Sequence, residues 1–273
     1  MSAYTPKEYW ASVADNFRSA DGLAPVLHPG APVWFNELID QLQIRAVECA
    51  LALAEVPRGS HILDVGCGTG RWLRRYQHLG FQPMGVDATS GMLDRAIENG
   101  TTAPLTAAEA TRLPFADSKF DCVSDITVAQ HIPRSLQPQA VCEMVRVLKP
   151  DGILILMELI RGEAGHIFPR TPKDWIQQVT SCGAKSIGWF GQEYFLADRF
   201  FVRAVRMLME RNGSQASTEA TPLQASSRHS SVARRIYWGL RHVTAPLSAW
   251  TEPLAARMCP RRFATHGVFI FRK

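Results

Sequence analysis

Residues 62–70 read Ile-Leu-Asp-Val-Gly-Cys-Gly-Thr-Gly: an apolar strand run, an acid near its end, then three glycines at alternate positions opening a helical stretch. Glycines without side chains let the backbone turn sharply and let a ligand approach closely at the carboxyl end of the strand. That device belongs to open parallel sheets, so it restricts the chain to the α/β class. The spacing is Gly-x-Gly-x-Gly and Arg71 follows Gly70, so the Gly-x-Gly-x-x-Gly fingerprint of dinucleotide pyrophosphate sites is not met.

The surrounding pattern agrees. From residue 61 to 193 apolar runs alternate with amphipathic stretches, as in a sheet covered by helices. Strands are expected at His61–Val65, Pro83–Asp87, Ala103–Thr106, Phe120–Thr127, Gly152–Met157 and Lys185–Phe190. Helices are expected at Thr69–His78, Gly91–Asn99, Pro138–Leu148 and Pro172–Ser181. Upstream, Trp34, Phe35, Leu38, Ile39, Leu42, Val47, Ala50 and Leu51 recur at helical spacing, while Pro6, Pro25, Pro29 and Pro32 break up residues 1–33. Asp87 closes the second strand, where a carboxylate can accept both hydroxyls of a ribose; the alternative is a helix N-cap, which Thr89 or Ser90 could supply instead.

The remainder divides into an N-terminal cap and leading helix (1–60), the core (61–193), a helical insertion (194–263) and a closing strand (264–273). The insertion holds a helical stripe over Tyr194–Arg211, a Ser/Ala/Thr-rich flexible linker at 212–231 and a basic aromatic stretch at Ala233–His242. Charge is distributed unevenly: residues 194–273 carry 13 Lys/Arg against 4 Asp/Glu, while residues 1–193 carry 17 against 21. The basic segment suits an anionic surface or an anionic ligand, or is a solvated helix face. The six cysteines lie far apart without a Cys-x-x-Cys, which excludes a zinc ribbon, argues against a disulfide scaffold and fits a reducing cytoplasm. No apolar run approaches the roughly 18 residues of a membrane span, and no spacing of Cys, His or acids suggests a metal.

Several blocks together resemble the class I S-adenosylmethionine-dependent methyltransferases, of the small-molecule type that includes ubiquinone and menaquinone biosynthesis enzymes. They are LDVGCGTG (63–70), MGVDAT (84–89), EATRLPFADSKFDCV (109–123), VAQHI (128–132) and EMVRVLKPDGILIL (143–156). The resemblance implies a Rossmann-like, doubly wound seven-stranded sheet, mostly parallel, with an antiparallel last strand at GVFIFR (267–272) and a helical cap insertion. It implies S-adenosylmethionine as cofactor, with Gly66, Cys67 and Gly68 against its methionyl part and Asp64 holding its ammonium group. Asp87 would take the ribose, with Ala88 and Met92 beside the adenine. Glu109-Ala110 stands where the family usually has Asp-Ala facing the adenine amino group. Thr127 would line the pocket, and Arg45 matches the helix position where related enzymes often place an arginine for the cofactor carboxylate.

Methyl transfer asks for alignment and exclusion of water, and for a base only if the acceptor must lose a proton. His131, just after the fourth strand, and His166, after the fifth, are the catalytic candidates. Glu158 reads as structural. The insertion and residues 1–33 are expected to cap an acceptor pocket, with Phe195, Phe200, Tyr237 and Trp238 as apolar lining. Arg234, Arg235 and Arg241 would meet a phosphate or, as a peripheral contact, a membrane surface. The acceptor is then a small molecule that is apolar, aromatic or lipid-linked. The rivals are a macromolecular (RNA or protein) methyltransferase, a non-catalytic cofactor-binding scaffold and a nicotinamide dehydrogenase. Nucleic acid is not expected, because Thr127-Val128-Ala129-Gln130-His131-Ile132-Pro133 is not the Asn/Asp-Pro-Pro-aromatic element of base-nitrogen methylating enzymes and no RNA-binding module is present.

Overall fold

A computed structural model describes residues 4–16, 22–23, 25–29, 31–161, 165–195 and 229–273. Its centre is a seven-stranded sheet built from β1 (His61–Val65), β2 (Gln82–Asp87), β3 (Leu105–Ala107), β4 (Phe120–Ile126), β5 (Leu148–Leu159), β6 (Lys185–Gln192) and β7 (His266–Arg272). The strand order is β3-β2-β1-β4-β5-β7-β6, with β7 antiparallel to both of its neighbours and the other pairs parallel. The order reverses between β1 and β4, so the carboxyl ends of these two strands flank the crevice where ligands bind in open α/β sheets.

The central strands β1, β4 and β5 are apolar almost throughout because helices cover both faces. One layer sets Leu63, Val65, Val123, Leu154, Leu156, Phe269 and Phe271 against Val141, Met144 and Val145 of α5 (Gln137–Val147) and Trp175 and Val179 of α6 (Pro172–Ser181). The other sets Ile62, Cys122, Ile155 and Ile270 against α2 (Val33–Leu53) and α3 (Arg71–His78) through Val47, Leu51, Trp72 and Tyr76. α6 begins with a capping box: Thr171 accepts from the Asp174 backbone N–H, and the Asp174 side chain accepts in return.

Three expectations change. Residues 6–16 form one helix, α1 (Pro6–Asn16), because Pro6 stands at its first position, where proline loses no intrahelical bond; α1 packs on α4 (Ser90–Glu98) through Val13, Ala14 and Met92. The cysteines are not all isolated thiols. Cys142 and Cys182, 40 residues apart, form a disulfide because α5 and the end of α6 lie side by side, 5.1 Å between Cα atoms. The linker ends earlier than 231, since α7 (His229–Met258) already includes residues 229–231. Residues 196–228, with Phe200 and most of the stripe and linker, lie outside the described residues, as do the side chains of Arg234, Arg235 and Tyr237.

α7 packs against α2 rather than over the carboxyl edge. Phe195, Ala245 and Ala249 are buried with Phe35, Ile39 and Leu42, Trp238 meets Phe35 at 5.3 Å between rings, and the Arg241 guanidinium stacks over Phe35 at 4.4 Å.

Gly85 in β2 is the tightest test of this packing. An added methyl would stand 2.6 Å from Leu73 Cδ1, 2.7 Å from Cys67 Sγ and 2.9 Å from Leu105 Cδ2. Gly85→Ala is expected to destabilise by about 1–3 kcal/mol, read as a lower midpoint in denaturant unfolding; an unchanged midpoint would contradict the packing.

Candidate active site

A cavity of about 320 Å³ opens at the carboxyl ends of β1, β2 and β4. Of the residues singled out from the sequence, Gly66, Cys67, Gly68, Asp87, Ala88, Met92, Glu109, Ala110, Thr127 and His131 line it. Thr5, Pro6, Lys7, Trp10 and Val26 of the N-terminal segment close it from above, whereas no described residue beyond Leu136 contributes to its wall. Phe195, Trp238 and Arg241, expected as cap residues, therefore serve the α2–α7 contact instead.

The floor is two turns tied together by one carboxylate. After β1 the backbone runs through Gly66, Gly68 and Gly70 at φ 69°, 50° and 73°, the left-handed region that favours glycine. A Cβ at Gly66 would meet both Val128 γ-carbons at 2.5 Å. Asp87, at the end of β2, accepts from the Gly68 N–H (2.9 Å) through one oxygen and from the Thr89 N–H (2.9 Å) through the other. Each oxygen keeps a second lone pair for a hydroxyl donor. Thr89 is the residue before α4 but makes no side-chain cap, so Asp87 supplies the acceptor at this helix entry. Burial raises the Asp87 pKa, and the two backbone hydrogen bonds and the Thr89 side chain oppose the rise.

Asp64 lies buried in β1 immediately before this turn. One oxygen accepts from the Ser124 hydroxyl (2.8 Å), and the other is buried without a partner among the described residues. Desolvation pushes its pKa up to about 7, against the pull of Ser124 and Arg71. Such an acid is poised to take a cationic partner.

Arg45 is exposed on α2, away from the cavity. Two cations line the cavity, Lys7 and Arg71; Arg71, in the first turn of α3, is held by Asp40 (2.5 Å) and Gln43 (2.8 Å) and is only 10% exposed. Its position directly after the third glycine was a signal the sequence carried.

The opposite wall follows β4. Thr127 adopts φ 62° and enters a short 3-10 turn at Ala129–His131. Two buried acids hold this turn. Glu158 of β5 accepts from the N–H groups of Val128 (2.9 Å), Ala129 (3.0 Å) and Gln130 (2.8 Å), and Asp125 accepts from Val128 and Ala129 at 3.1 and 3.3 Å. Burial pushes Asp125 up to about 6 and Glu158 well above the carboxylate range, the latter also through repulsion by Asp125.

His131 projects from this turn against the Trp10 ring (4.9 Å) and stacks on His166 at 5.3 Å. Gln130 Oε1 accepts from the Leu159 N–H, which leaves its Nε2 to donate to His131 Nε2 (3.3 Å). His131 Nδ1 therefore carries the proton and donates to the His166 carbonyl (3.2 Å). Burial, reinforced by His166, lowers the His131 pKa to about 3. His166 does not line the cavity; its Nε2 meets the Tyr9 hydroxyl (3.2 Å), and its own pKa is lowered by burial. Among the described residues no group of His, Cys, Asp or Glu could hold a metal ion.

Comparison with known proteins accounts for this geometry. Residues 63–156 match the family model described as a methyltransferase domain. Residues 63–156 are therefore similar to a methyltransferase domain. It is 37% identical over 116 residues to the ubiquinone/menaquinone biosynthesis C-methyltransferase UbiE of Laribacter hongkongensis, covering 40% of this chain and 46% of that protein. The chain thus spans about half the length of the curated relatives it matches. Among solved structures it is similar to the 1,6-didemethyltoxoflavin-N1-methyltransferase of Burkholderia thailandensis (TM-score 0.54, 15% identity, 100% of this chain and 92% of that one). It is equally similar to the [4+2]-cyclase SpnF (TM-score 0.54, 20% identity, 98% and 92%). These likenesses show the fold, and the cyclase shows that the fold also serves other chemistry.

Glu158→Ala removes an acceptor from three backbone donors and leaves the Gln130 N–H without one. The expected cost is about 2–4 kcal/mol in denaturant unfolding; a loss below about 1 kcal/mol would mean that the turn does not depend on Glu158.

Proposed function

We propose that this chain transfers a methyl group from S-adenosylmethionine to a small apolar or aromatic acceptor. The observation that carries the reading is the doubly bonded Asp87, which joins the glycine turn to the entry of α4 and still offers lone pairs to a ribose diol. The residues fit the rest of the group as well. Asp64, with its unpartnered buried oxygen beneath the turn, would take the ammonium, and Arg71 the carboxylate. Ala88, Met92, Ala108 and Ala110 form an apolar shelf for the adenine, with Glu109 at its edge. The cofactor, when bound, supplies a methyl group already activated on a sulfonium.

The chain's own task is then to orient the acceptor and exclude water. Trp10, Val128, Ile132, Pro133 and Leu136 share the same cavity, an apolar wall that favours an apolar acceptor over a sugar. His131, neutral and committed at both nitrogens, fixes that wall rather than moving a proton. This favours an acceptor atom that is already nucleophilic, or one that loses its proton to water.

The reading is tested by incubating the chain with labelled S-adenosylmethionine and fractionated cell extract, with Asp87→Ala as control. Label entering the organic phase, and lost by at least roughly tenfold in the variant, is the expected result. Label in protein or RNA would overturn it.

Titration supplies a second test. Below pH 7 the ligand-free chain holds a proton on Asp64 that an incoming ammonium must displace. Affinity for S-adenosylhomocysteine should therefore rise between pH 5 and 7, by at most about tenfold per unit, and level off above. Calorimetry across that range checks it. Asp64→Asn should flatten the profile; a wild-type affinity independent of pH would remove Asp64 from the ammonium site.

A further inference from the structure

α7 carries two apolar stripes where a helix docked on one domain needs one. Its inner stripe, Ala245, Ala249 and Ala255, is buried against α2 and the segment after β6. The outer stripe, Leu240, Val243, Leu247, Trp250, Leu254 and Met258, recurs at three- and four-residue spacing and faces outward, with Trp250 80% and Met258 73% exposed. Between 238 and 258 the only polar side chains at fully exposed positions are His242 and Arg257. Scattered apolar side chains on a surface are ordinary, but an aligned stripe of this length with an indole at its centre marks a contact face.

Charge decides what covers it. α7 itself holds four arginines (Arg234, Arg235, Arg241 and Arg257) and one acid, Glu252. That acid is buried and accepts from the Tyr194 N–H (2.9 Å), so this segment turns no carboxylate outward. A second copy laid against the stripe by two-fold symmetry would bring arginine to arginine with no acid of the segment to answer. An anionic lipid surface answers both features, since it takes the apolar side chains below the headgroups and the cations at their level. No described helix is long and apolar enough to cross a membrane, so α7 would lie in the interface.

We propose that the outer face of α7 is a membrane-docking surface that seats this chain on an anionic bilayer. The proposal does not depend on the methyl-transfer reading, and its test needs no activity. The full chain is floated with phosphatidylcholine vesicles with and without phosphatidylglycerol. The expected result is flotation with the anionic vesicles, reduced by salt, and reduced roughly tenfold or more by Trp250→Glu combined with Leu254→Glu. A melting curve establishes that the variant is folded. On the unaltered chain, lipids brominated in the acyl chains should quench part of the tryptophan emission, because Trp250 enters the bilayer. No flotation with anionic vesicles, flotation indifferent to the double substitution, or unquenched emission would overturn the proposal. So would a wild-type dimer that the double substitution converts to monomer, because a second copy would then own the stripe.

Discussion

Buried carboxylates accepting backbone N–H groups hold this structure's working edge in shape. Asp87 ties the glycine turn to the start of α4, while Asp125 and Glu158 together hold the turn after β4. Carboxyl groups are costly to bury, and each of these accepts from two or three backbone N–H groups that would otherwise be orphaned at a turn. The outcome is a pair of rigid walls facing each other across the point where strand order reverses. The same economy leaves one acid incompletely satisfied. Among the described residues one oxygen of Asp64 is buried without a partner, and its raised pKa records the cost of that burial.

Much of this was legible in the sequence because strand–turn–helix chemistry is local. Three glycines at alternate positions must sit where side chains cannot, and all three adopt positive φ. An acid at the end of the second strand falls beside that turn by the parallel register of β1 and β2. Alternation of apolar runs placed β1 to β6 within a few residues of their observed bounds, while the antiparallel β7 was implied by the family resemblance.

The remainder was hidden because it depends on which elements meet in space. Arg45 and Arg71 are both helical arginines, and only the docking of α2 on α3 puts the latter at the cavity while the former faces solvent. Glu158 sits in a strand run whose periodicity says nothing about a turn 28 to 30 residues earlier. Cys142 and Cys182 read as remote until α5 and α6 pack together. Phe195 and Trp238 were expected at the acceptor pocket on the strength of their aromatic character, which suits any apolar contact, and they serve α2 instead. The N-terminal segment supplies the roof: α1 brings Trp10 against His131, and Thr69 donates to the Gly22 carbonyl (2.9 Å).

The central claim is that two acids and an arginine around the glycine turn form one site for S-adenosylmethionine. A crystal structure of the chain grown with S-adenosylhomocysteine tests it most directly. The account predicts the ribose hydroxyls on Asp87, the ammonium at Asp64, the carboxylate at Arg71, and the sulfur directed toward the wall of Trp10 and Thr127. Ligand bound elsewhere, or bound in the cavity with its ribose turned away from Asp87, would contradict it.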